Sequence, residues 1–496
     1  MLFSSTLFLF CFLPLVLSGN FLLPGRWRNA WLLAASLVFY GWGEPFVVTV
    51  MLASVAANWA FGLWVARAPT ARLPLVATLA FNLGLLVLFK YADWLVGVAS
   101  RVLLTLGWIR TGLPDLAVLV PADWSLHAML FTAQGYVRLP IGVSFFTFQA
   151  MSYVIDVRRG AVAPQRNVLK LALYKSLFPQ LIAGPIVRYR DVAAQIARRT
   201  VAADDFAAGV HRFVIGLAKK MLIANTVAVA ADAIFAIPGA ALTPACAWFG
   251  LLCYTVQIYF DFSGYSDMAI GLGRMLGFRF LENFDYPYVA RSVTEFWRRW
   301  HISLSTWFRD YLYIPLGGNR RGSARTFVNL LVVFALCGLW HGAHFTFLAW
   351  GLWHGAFLVL ERAGLGTRLE RLPPPLRHAY ALLAVTLGWV PFRATSLSHA
   401  GDYLRALAFA TDGDAARWHV DLFANPLVVT ALAAAVVGAT PVAAAGWVRL
   451  AAATRDRVPA VVAMRPAGLL VLALLFVASC VRMAAGTYNP FLYWRF

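Results

Sequence analysis

Long apolar segments recur along the whole chain and are separated by shorter stretches rich in arginine and lysine. A helix of roughly 20 apolar residues is long enough to cross a lipid bilayer. The pattern therefore predicts an all-α, polytopic membrane protein with about 11–12 transmembrane helices. The predicted spans are residues 3–23, 30–48, 48–66, 73–92, 138–156, 221–237, 246–270, 327–342, 346–361, 378–395, 424–446 and 466–485.

Two further apolar segments do not fit simple spans. Residues 169–187 carry Lys170 and Lys175 and are interrupted by Pro179, which predicts a re-entrant segment buried in protein. Residues 204–218 have the pattern of an amphipathic helix on the cytoplasmic face. Neither segment adds to the predicted crossings.

The charged residues indicate how the spans are oriented. The 496 residues are 61% hydrophobic and carry a formal net charge of +20. Residues 156–220 hold twelve Lys/Arg against four acids, and residues 274–325 hold nine arginines against four acids. Basic loops of this kind lie on the cytoplasmic side, whereas residues 396–425, with four aspartates against two arginines, are expected outside. The positive charge thus reflects membrane topology, and no nucleic-acid partner is expected.

Common enzyme motifs are missing from the sequence. The five cysteines form no C-x-x-C pair, so neither a disulfide framework nor a metal site is expected. The chain also lacks the G-x-S-x-G, Walker A, G-x-G-x-x-G and H-E-x-x-H patterns. Any chemistry must come from another set of residues.

Two histidines stand out. His301 lies in TEFWRRWHISLSTWFRDYLYIPLGGNRRG, and His341 lies in the apolar GLWHGAHFTFLAWGLWHG. An imidazole at the depth of the membrane is energetically costly, so it marks a functional site by default. A helix from Arg325 to His341 would rise roughly 24 Å, which would place His341 deep in the protein. Neutral imidazole accepts a proton from a hydroxyl, so His341 is a candidate general base, and His301 on the neighbouring polar segment favours a functional role. The alternative is a histidine that only hydrogen-bonds two helices together.

The polar segment before His341 offers a candidate docking surface for a nucleotide-bearing or carrier-bound phosphate, since arginine pairs with phosphate and tryptophan with flat rings. Tryptophan and arginine also anchor membrane proteins at the interface, and composition alone favours that structural interpretation. The candidate donor-binding residues are Arg298, Arg299, Trp300, Arg309 and Arg320.

Five long runs are specific enough to suggest a family. They are LPIGVSFFTFQAMSYVIDV (139–157), FPQLIAGPIVRY (178–189), QIYFDFSGYSDMAIGLGRMLGFRFLENFDYPY (257–288), TEFWRRWHISLSTWFRDYLYIPLGGNRRG (294–322) and GLWHGAHFTFLAWGLWHG (338–355). They resemble the membrane-bound O-acyltransferases, particularly the membrane subunits of bacterial alginate O-acetyltransferases. The resemblance extends over nearly the whole chain and implies a single domain, residues 1–496, with its core at 138–361.

The resemblance implies a ring of helices around a central funnel, with His341 catalytic at the constriction and His301 as the second histidine. It implies an enzyme of the bacterial inner membrane that takes an acyl group from a cytoplasmic donor, acetyl-CoA in alginate-type members, with no permanently bound cofactor. The acceptor would be an exopolysaccharide such as alginate. Extracytoplasmic, serine-hydrolase-like acetyltransferase subunits would complete the transfer.

The chain ends in a second similar motif. Residues 489–496 read NPFLYWRF and contain F-x-Y-x-x-F, formed by Phe491, Tyr493 and Phe496. The resemblance implies that this tyrosine holds the acyl group on the outer side, where the predicted topology independently places Tyr493. A phenol has a pKa of about 10 and needs a base to attack a thioester, and His341 is a candidate. Aromatic anchoring at the outer interface is the equally weighted alternative.

Two other functions could use the same residues. A transporter or flippase for a lipid-linked sugar or an acyl carrier would employ the basic funnel, with His341 as a gate or proton relay. Transporters often show two corresponding halves, and no such duplication is visible in the sequence. A scaffold that only assembles an exopolysaccharide complex would need neither histidine.

Overall fold

The computed structural model describes residues 1–42, 45–182, 184–442, 445–446 and 458–486. Within these ranges the regular structure is helical, apart from an isolated β-bridge. The α-helices are α1 (Leu13–Leu22), α2 (Gly25–Gly41), α3 (Pro45–Arg67), α4 (Leu73–Leu86), α5 (Ala92–Thr105), α6 (Ser125–Leu130), α7 (Val143–Arg158), α8 (Val168–Ser176), α9 (Phe178–Leu181), α10 (Tyr189–Ala197), α11 (Ala203–Ala218), α12 (Asn225–Phe235), α13 (Pro244–Met275), α14 (Val293–Arg299), α15 (Ile302–Phe308), α16 (Gly322–His341), α17 (Phe345–Leu360), α18 (Gly366–Glu370), α19 (Pro374–Arg393), α20 (Leu397–Leu407), α21 (Pro426–Gly438) and α22 (Val458–Ala484). Shorter π-helical segments are Phe8–Phe12, Val87–Tyr91, Lys219–Ala224, Arg309–Tyr313 and Glu361–Leu365, and 3-10 turns are Leu116–Leu119, Gly239–Ala241, Pro287–Val289 and Val420–Leu422.

The predicted all-α, polytopic membrane architecture is confirmed, and in the described part of the chain every predicted span overlaps a helix. Within the described ranges, six helices are long and apolar enough to cross a membrane: Phe46–Arg67, Leu73–Thr105, Ala203–Phe235, Pro244–Met275, Gly322–His341 and Pro466–Ala484. A helix of 16 residues such as α17 is roughly 24 Å long, which is less than the ~30 Å apolar core of a bilayer. The count of about 12 crossings stays a prediction.

The central element is α13, a helix of 32 residues that is buried along most of its length. It packs against α11, α12, α19 and α20. A Cβ atom at Gly216 of α11 would lie 2.5 Å from the carbonyl oxygen of Gly264 on α13, so the two backbones touch there. Small residues allow this close approach of membrane helices.

The helix predicted over residues 204–218 is present as α11, but it does not end at residue 218. It continues through a π-helical segment into α12 and forms one helix of 33 residues. Lys219 pairs with Asp267 at 2.7 Å, and Lys220 pairs with Asp261 at 2.5 Å. Because α13 supplies both carboxylates, two lysines that suggested a cytoplasmic loop are accommodated inside the bundle.

The interruption expected in residues 169–187 is also present. α8 ends at Ser176, a sharp turn follows, and the short α9 begins at once. The side chains around this turn are buried, and the buried Lys175 ammonium donates to Ser54 Oγ on α3 at 2.6 Å. The irregular backbone is therefore enclosed by protein, as a membrane environment requires.

Candidate active site

His341 is placed by a tight hairpin of α16 and α17. A Cβ atom at Gly338 would lie 2.2 Å from the carbonyl oxygen of Phe347, and one at Gly351 would lie 2.2 Å from that of Phe334. Neither distance leaves room for any side chain, so these two glycines let the helices meet backbone to backbone. His341 is the last residue of α16, one turn beyond Gly338.

The His341 imidazole is enclosed by aromatic rings and is 2% exposed. Its ring centroid lies 4.9 Å from Trp340, 4.9 Å from Trp350 and 5.3 Å from Phe392, with each ring approaching edge to face. Such an enclosure excludes bulk water and favours the neutral imidazole that a general base requires.

His301 sits at the turn between α14 and α15, fully buried. Its backbone has φ +43° and ψ +54°, a left-handed conformation that costs a non-glycine residue about 1–2 kcal/mol. The amide of Ile302 donates to the carbonyl of Asn283 at 2.9 Å and helps to hold this turn. Strained backbone of this kind clusters at functional sites, where the surrounding structure imposes it.

The Asn283 side chain fixes the tautomer of His301. Asn283 Oδ1 accepts from the backbone N–H of Ser303 at 3.3 Å and from its hydroxyl at 2.8 Å, which identifies this atom as the oxygen. His301 Nδ1 lies 3.0 Å from the same oxygen and must carry the proton that it donates. Nε2 is therefore left with its lone pair.

His301 Nε2 is buried and has no hydrogen-bond partner among the described residues. Burial lowers the pKa of His301 to about 3, so the ring is neutral at physiological pH. A neutral imidazole whose acceptor nitrogen is free can hold a hydroxyl or take a proton. Asn283, which gave no sequence signal, is thus part of the site.

Trp340 connects the two histidines. Its ring lies 4.9 Å from the His341 ring and 6.3 Å from the His301 ring, and it stacks at 5.4 Å on Phe148. The structure therefore brings together two residues that are 40 positions apart in sequence. Their chemical roles remain predictions.

The residues predicted to bind a donor do not form one surface. Arg298 and Arg320 are exposed, whereas Trp300 is 2% exposed. The Trp300 ring packs on Phe284 at 5.1 Å and on Trp389 at 5.1 Å. Trp300 is therefore part of the aromatic core in this structure.

The other two predicted arginines are engaged in ion pairs. Arg299 pairs with Asp285 at 2.9 Å and with Glu295 at 3.0 Å, and Arg309 pairs with Asp310 at 2.7 Å. Burial alone would raise the pKa of the Asp310 carboxyl, but hydrogen bonds from arginines outweigh it and lower this pKa. A donor-binding role for the five residues stays a prediction.

A buried ionic network was missed by the sequence reasoning. Arg188 pairs with Asp310 at 2.7 Å and lies 5.1 Å over the ring of Tyr311. The Tyr311 hydroxyl donates to Asp156 at 2.8 Å. Arg188 and Asp310 are 122 residues apart, so no local spacing could have paired them.

His354 was also missed, although a second Trp-His-Gly at residues 353–355 could have drawn attention to it. It is fully buried on α17, and its ring lies 5.2 Å from Trp297 and 5.3 Å from Trp350. The predicted acyl carrier Tyr493 lies outside the described residues.

The chain is similar to known proteins, both in the part that holds the candidate site and over its full length. Residues 127–383, which contain both histidines, match the model of the membrane-bound O-acyltransferase family. The chain is 41% identical to a probable alginate O-acetylase of Pseudomonas putida over the full length of both proteins. It is 34% identical to a peptidoglycan O-acetyltransferase of Helicobacter pylori, over 82% of this chain and 80% of the relative. It is also 29% identical to a teichoic acid D-alanyltransferase of Bacillus subtilis, over 41% of this chain and 53% of the relative.

Proposed function

Because this chain belongs to the membrane-bound O-acyltransferase family, we propose that it moves an acetyl group across the bacterial inner membrane. The donor is acetyl-CoA on the cytoplasmic side, and the acceptor is an exopolysaccharide such as alginate. Extracytoplasmic, serine-hydrolase-like subunits receive the group and complete transfer to sugar hydroxyls. Both the O-acyltransferase family and the names of the relatives support acetyl transfer to a surface polymer.

The observation that carries this proposal is the pair of buried imidazoles on the Trp340 ring. An acyl transfer needs a base that removes the proton of an attacking hydroxyl. His341 supplies that base from the end of α16. His301, oriented by Asn283, offers a second acceptor nitrogen close to the same ring.

The reaction forms a C–O bond and breaks the C–S bond of the thioester. The attacking hydroxyl loses its proton to the His341 imidazole as its oxygen adds to the acetyl carbon. The leaving thiolate then takes a proton from the imidazolium, so the base returns to its neutral form. Enclosure by aromatic rings keeps competing water away from the thioester.

We further propose that the attacking hydroxyl is that of Tyr493. An acetylated tyrosine on the outer side would store the group between the cytoplasmic donor and the extracytoplasmic subunit. Direct transfer to an acceptor hydroxyl is the other route through the same base.

His341→Ala tests the base, with the exposed His211→Ala as the matched control. His341→Ala should abolish polymer acetylation in cells, because the base can account for about 10²–10⁴-fold in rate. His211→Ala should retain wild-type acetylation, and both proteins should be present in the membrane at equal amounts. Full acetylation by His341→Ala would exclude the proposed mechanism.

Incubation of purified protein with acetyl-labelled acetyl-CoA tests the relay and separates an enzyme from a transporter. We expect label on the wild-type protein and none on Tyr493→Phe. If Tyr493→Phe supports full polymer acetylation, transfer is direct. If label crosses proteoliposomes as intact acetyl-CoA, with no acetyl-enzyme and no thioester cleavage, the protein is a transporter.

A further inference from the structure

Two residues between α4 and α5, Lys90 and Tyr91, donate hydrogen bonds to the last turn of α16. Tyr91 donates its hydroxyl to the carbonyl of Leu339 at 2.8 Å. Lys90 donates its ammonium to the carbonyl of Trp340 at 2.5 Å and to that of His341 at 3.5 Å. Two adjacent residues therefore contact three successive carbonyls, the last of which belongs to the proposed base.

These carbonyls need partners because α16 ends at His341. The last four carbonyls of a helix have no intrahelical amide to accept from, and they carry the negative end of the helix dipole. The chain continues as extended backbone at Gly342, whose amide donates to the carbonyl of Gly338 at 3.3 Å. A cation and a hydroxyl at this position satisfy the helix end directly.

Lys90 lies in an apolar segment where an ammonium is costly unless it is bound. Its third contact is Ser144 Oγ on α7 at 3.2 Å, and it lies 5.8 Å from the centre of the Trp340 ring. No carboxylate pairs with Lys90 among the described residues. Lys90 thus donates its hydrogen bonds to oxygen atoms of α7 and α16, and it links these two helices.

Lys90 and Tyr91 both belong to the π-helical segment Val87–Tyr91, where α4 passes into α5. Such single-turn π segments are frequent at functional sites. Both residues precede residues 127–383, the part that matches the family model.

We propose that Lys90 and Tyr91 are positioning residues that fix the height and orientation of His341 by binding the last three carbonyls of its helix. The inference rests on the proposed role of His341 as the base. Lys90 and Tyr91 do not touch the reacting atoms. They act by preventing the last turn of α16 from fraying, so that the imidazole stays within reach of the attacking hydroxyl.

The test measures kcat and KM for acetyl-CoA in Lys90→Met, Tyr91→Phe and Lys90→Arg. Lys90→Met should lower kcat about 100-fold, because a displacement of about 1 Å at a catalytic group costs that much. Tyr91→Phe, which loses one hydrogen bond, should lower kcat about tenfold. KM should change less than about twofold in both, since neither side chain is among the residues predicted to bind the donor. Lys90→Arg should recover part of the rate because a guanidinium can donate to the same carbonyls.

Lys175→Met is the matched control, since it also removes a buried lysine that donates to a serine hydroxyl. It should lower thermal stability in detergent as much as Lys90→Met does and leave kcat near the wild-type value. Wild-type kcat in Lys90→Met would overturn the inference. So would a loss of activity that follows stability equally in both lysine variants and is not recovered by arginine.

The two proposals fail in different ways. If His341→Ala is inactive while Lys90→Met is fully active, the positioning role alone is wrong. If His341→Ala is active, the proposed role of His341 as the base is wrong, and the positioning role falls with it.

Discussion

Replacing Gly338 by alanine tests whether the contact between α16 and α17 sets the position of His341. The new Cβ atom would meet the carbonyl oxygen of Phe347 at 2.2 Å, its carbonyl carbon at 3.0 Å and the Cα atom of Gly351 at 3.3 Å. Ordinary van der Waals contact begins at 3.4 Å. Because the obstructing atoms are backbone, no side-chain rotation can relieve the overlap.

The size of the expected effect follows from the difference between 2.2 Å and the 3.4 Å of ordinary contact. The carbonyl must retreat by about 1.2 Å, which requires α16 and α17 to separate or slide. Overpacking of this kind costs about 1–3 kcal/mol of stability. His341 lies one turn further along α16, and a shift of about 1 Å at a catalytic group lowers the rate about 100-fold. We therefore expect a protein that folds less stably and is nearly inactive.

Gly84→Ala is the matched control. Gly84 lies in α4, and apart from its chain neighbours and its own helix backbone no atom lies within 4 Å of the added Cβ. The same substitution should therefore leave activity unchanged and stability equal or slightly higher. Polymer acetylation in cells and thermal unfolding in detergent are measured for both variants. If Gly338→Ala matches Gly84→Ala in both assays, the contact does not set the position of His341.

Three further outcomes are expected. Asn283→Asp places a carboxylate on His301 Nδ1 and raises the pKa of His301, so kcat should fall at acidic pH where the wild-type kcat does not; identical pH profiles would contradict this. Glu361→Gln replaces the carboxylate that accepts from the amides at the start of α14 at 2.7 and 2.9 Å, and should lower stability by about 1–3 kcal/mol in thermal unfolding. Asp310→Asn breaks its partly buried pair with Arg188 and should cost about 2 kcal/mol at pH 7. Because the pKa of Asp310 is lowered in the folded protein, this stabilisation is present at neutral pH and is lost as the pH falls below about 4, where wild type and variant should converge.

Local pattern was sufficient for the helices but not for how they join. Each predicted span overlaps a helix among the described residues, since a run of apolar residues is a local property of the sequence. The continuous helix from α11 to α12 was missed because Lys219 and Lys220 look like loop charges until Asp261 and Asp267 of α13 are seen beside them.

In the candidate site, too, some residues could be predicted from the local sequence and others only from the fold. His341 could be found because an imidazole in an apolar run is conspicuous, and His301 because of its setting. Asn283 and Lys90 could not be found, since an asparagine in a polar segment and a lysine near the end of the predicted span 73–92 are ordinary there. Their importance comes from contacts across 18 and 250 residues of sequence, which only the fold creates.

The ion pairs between α11–α12 and α13 constrain how the protein is made. A ribosome delivers α13 to the membrane after the helix that carries Lys219 and Lys220. A segment with Asp261 and Asp267 in its middle enters a bilayer poorly by itself, because bare carboxylates are expensive there. We therefore expect the earlier helix to stay beside the insertion machinery until α13 arrives, so that the two helices enter the bilayer as a neutralised pair. Biogenesis of this enzyme should depend on the order of these two helices, and separating them by a long inserted loop should leave α13 outside the membrane.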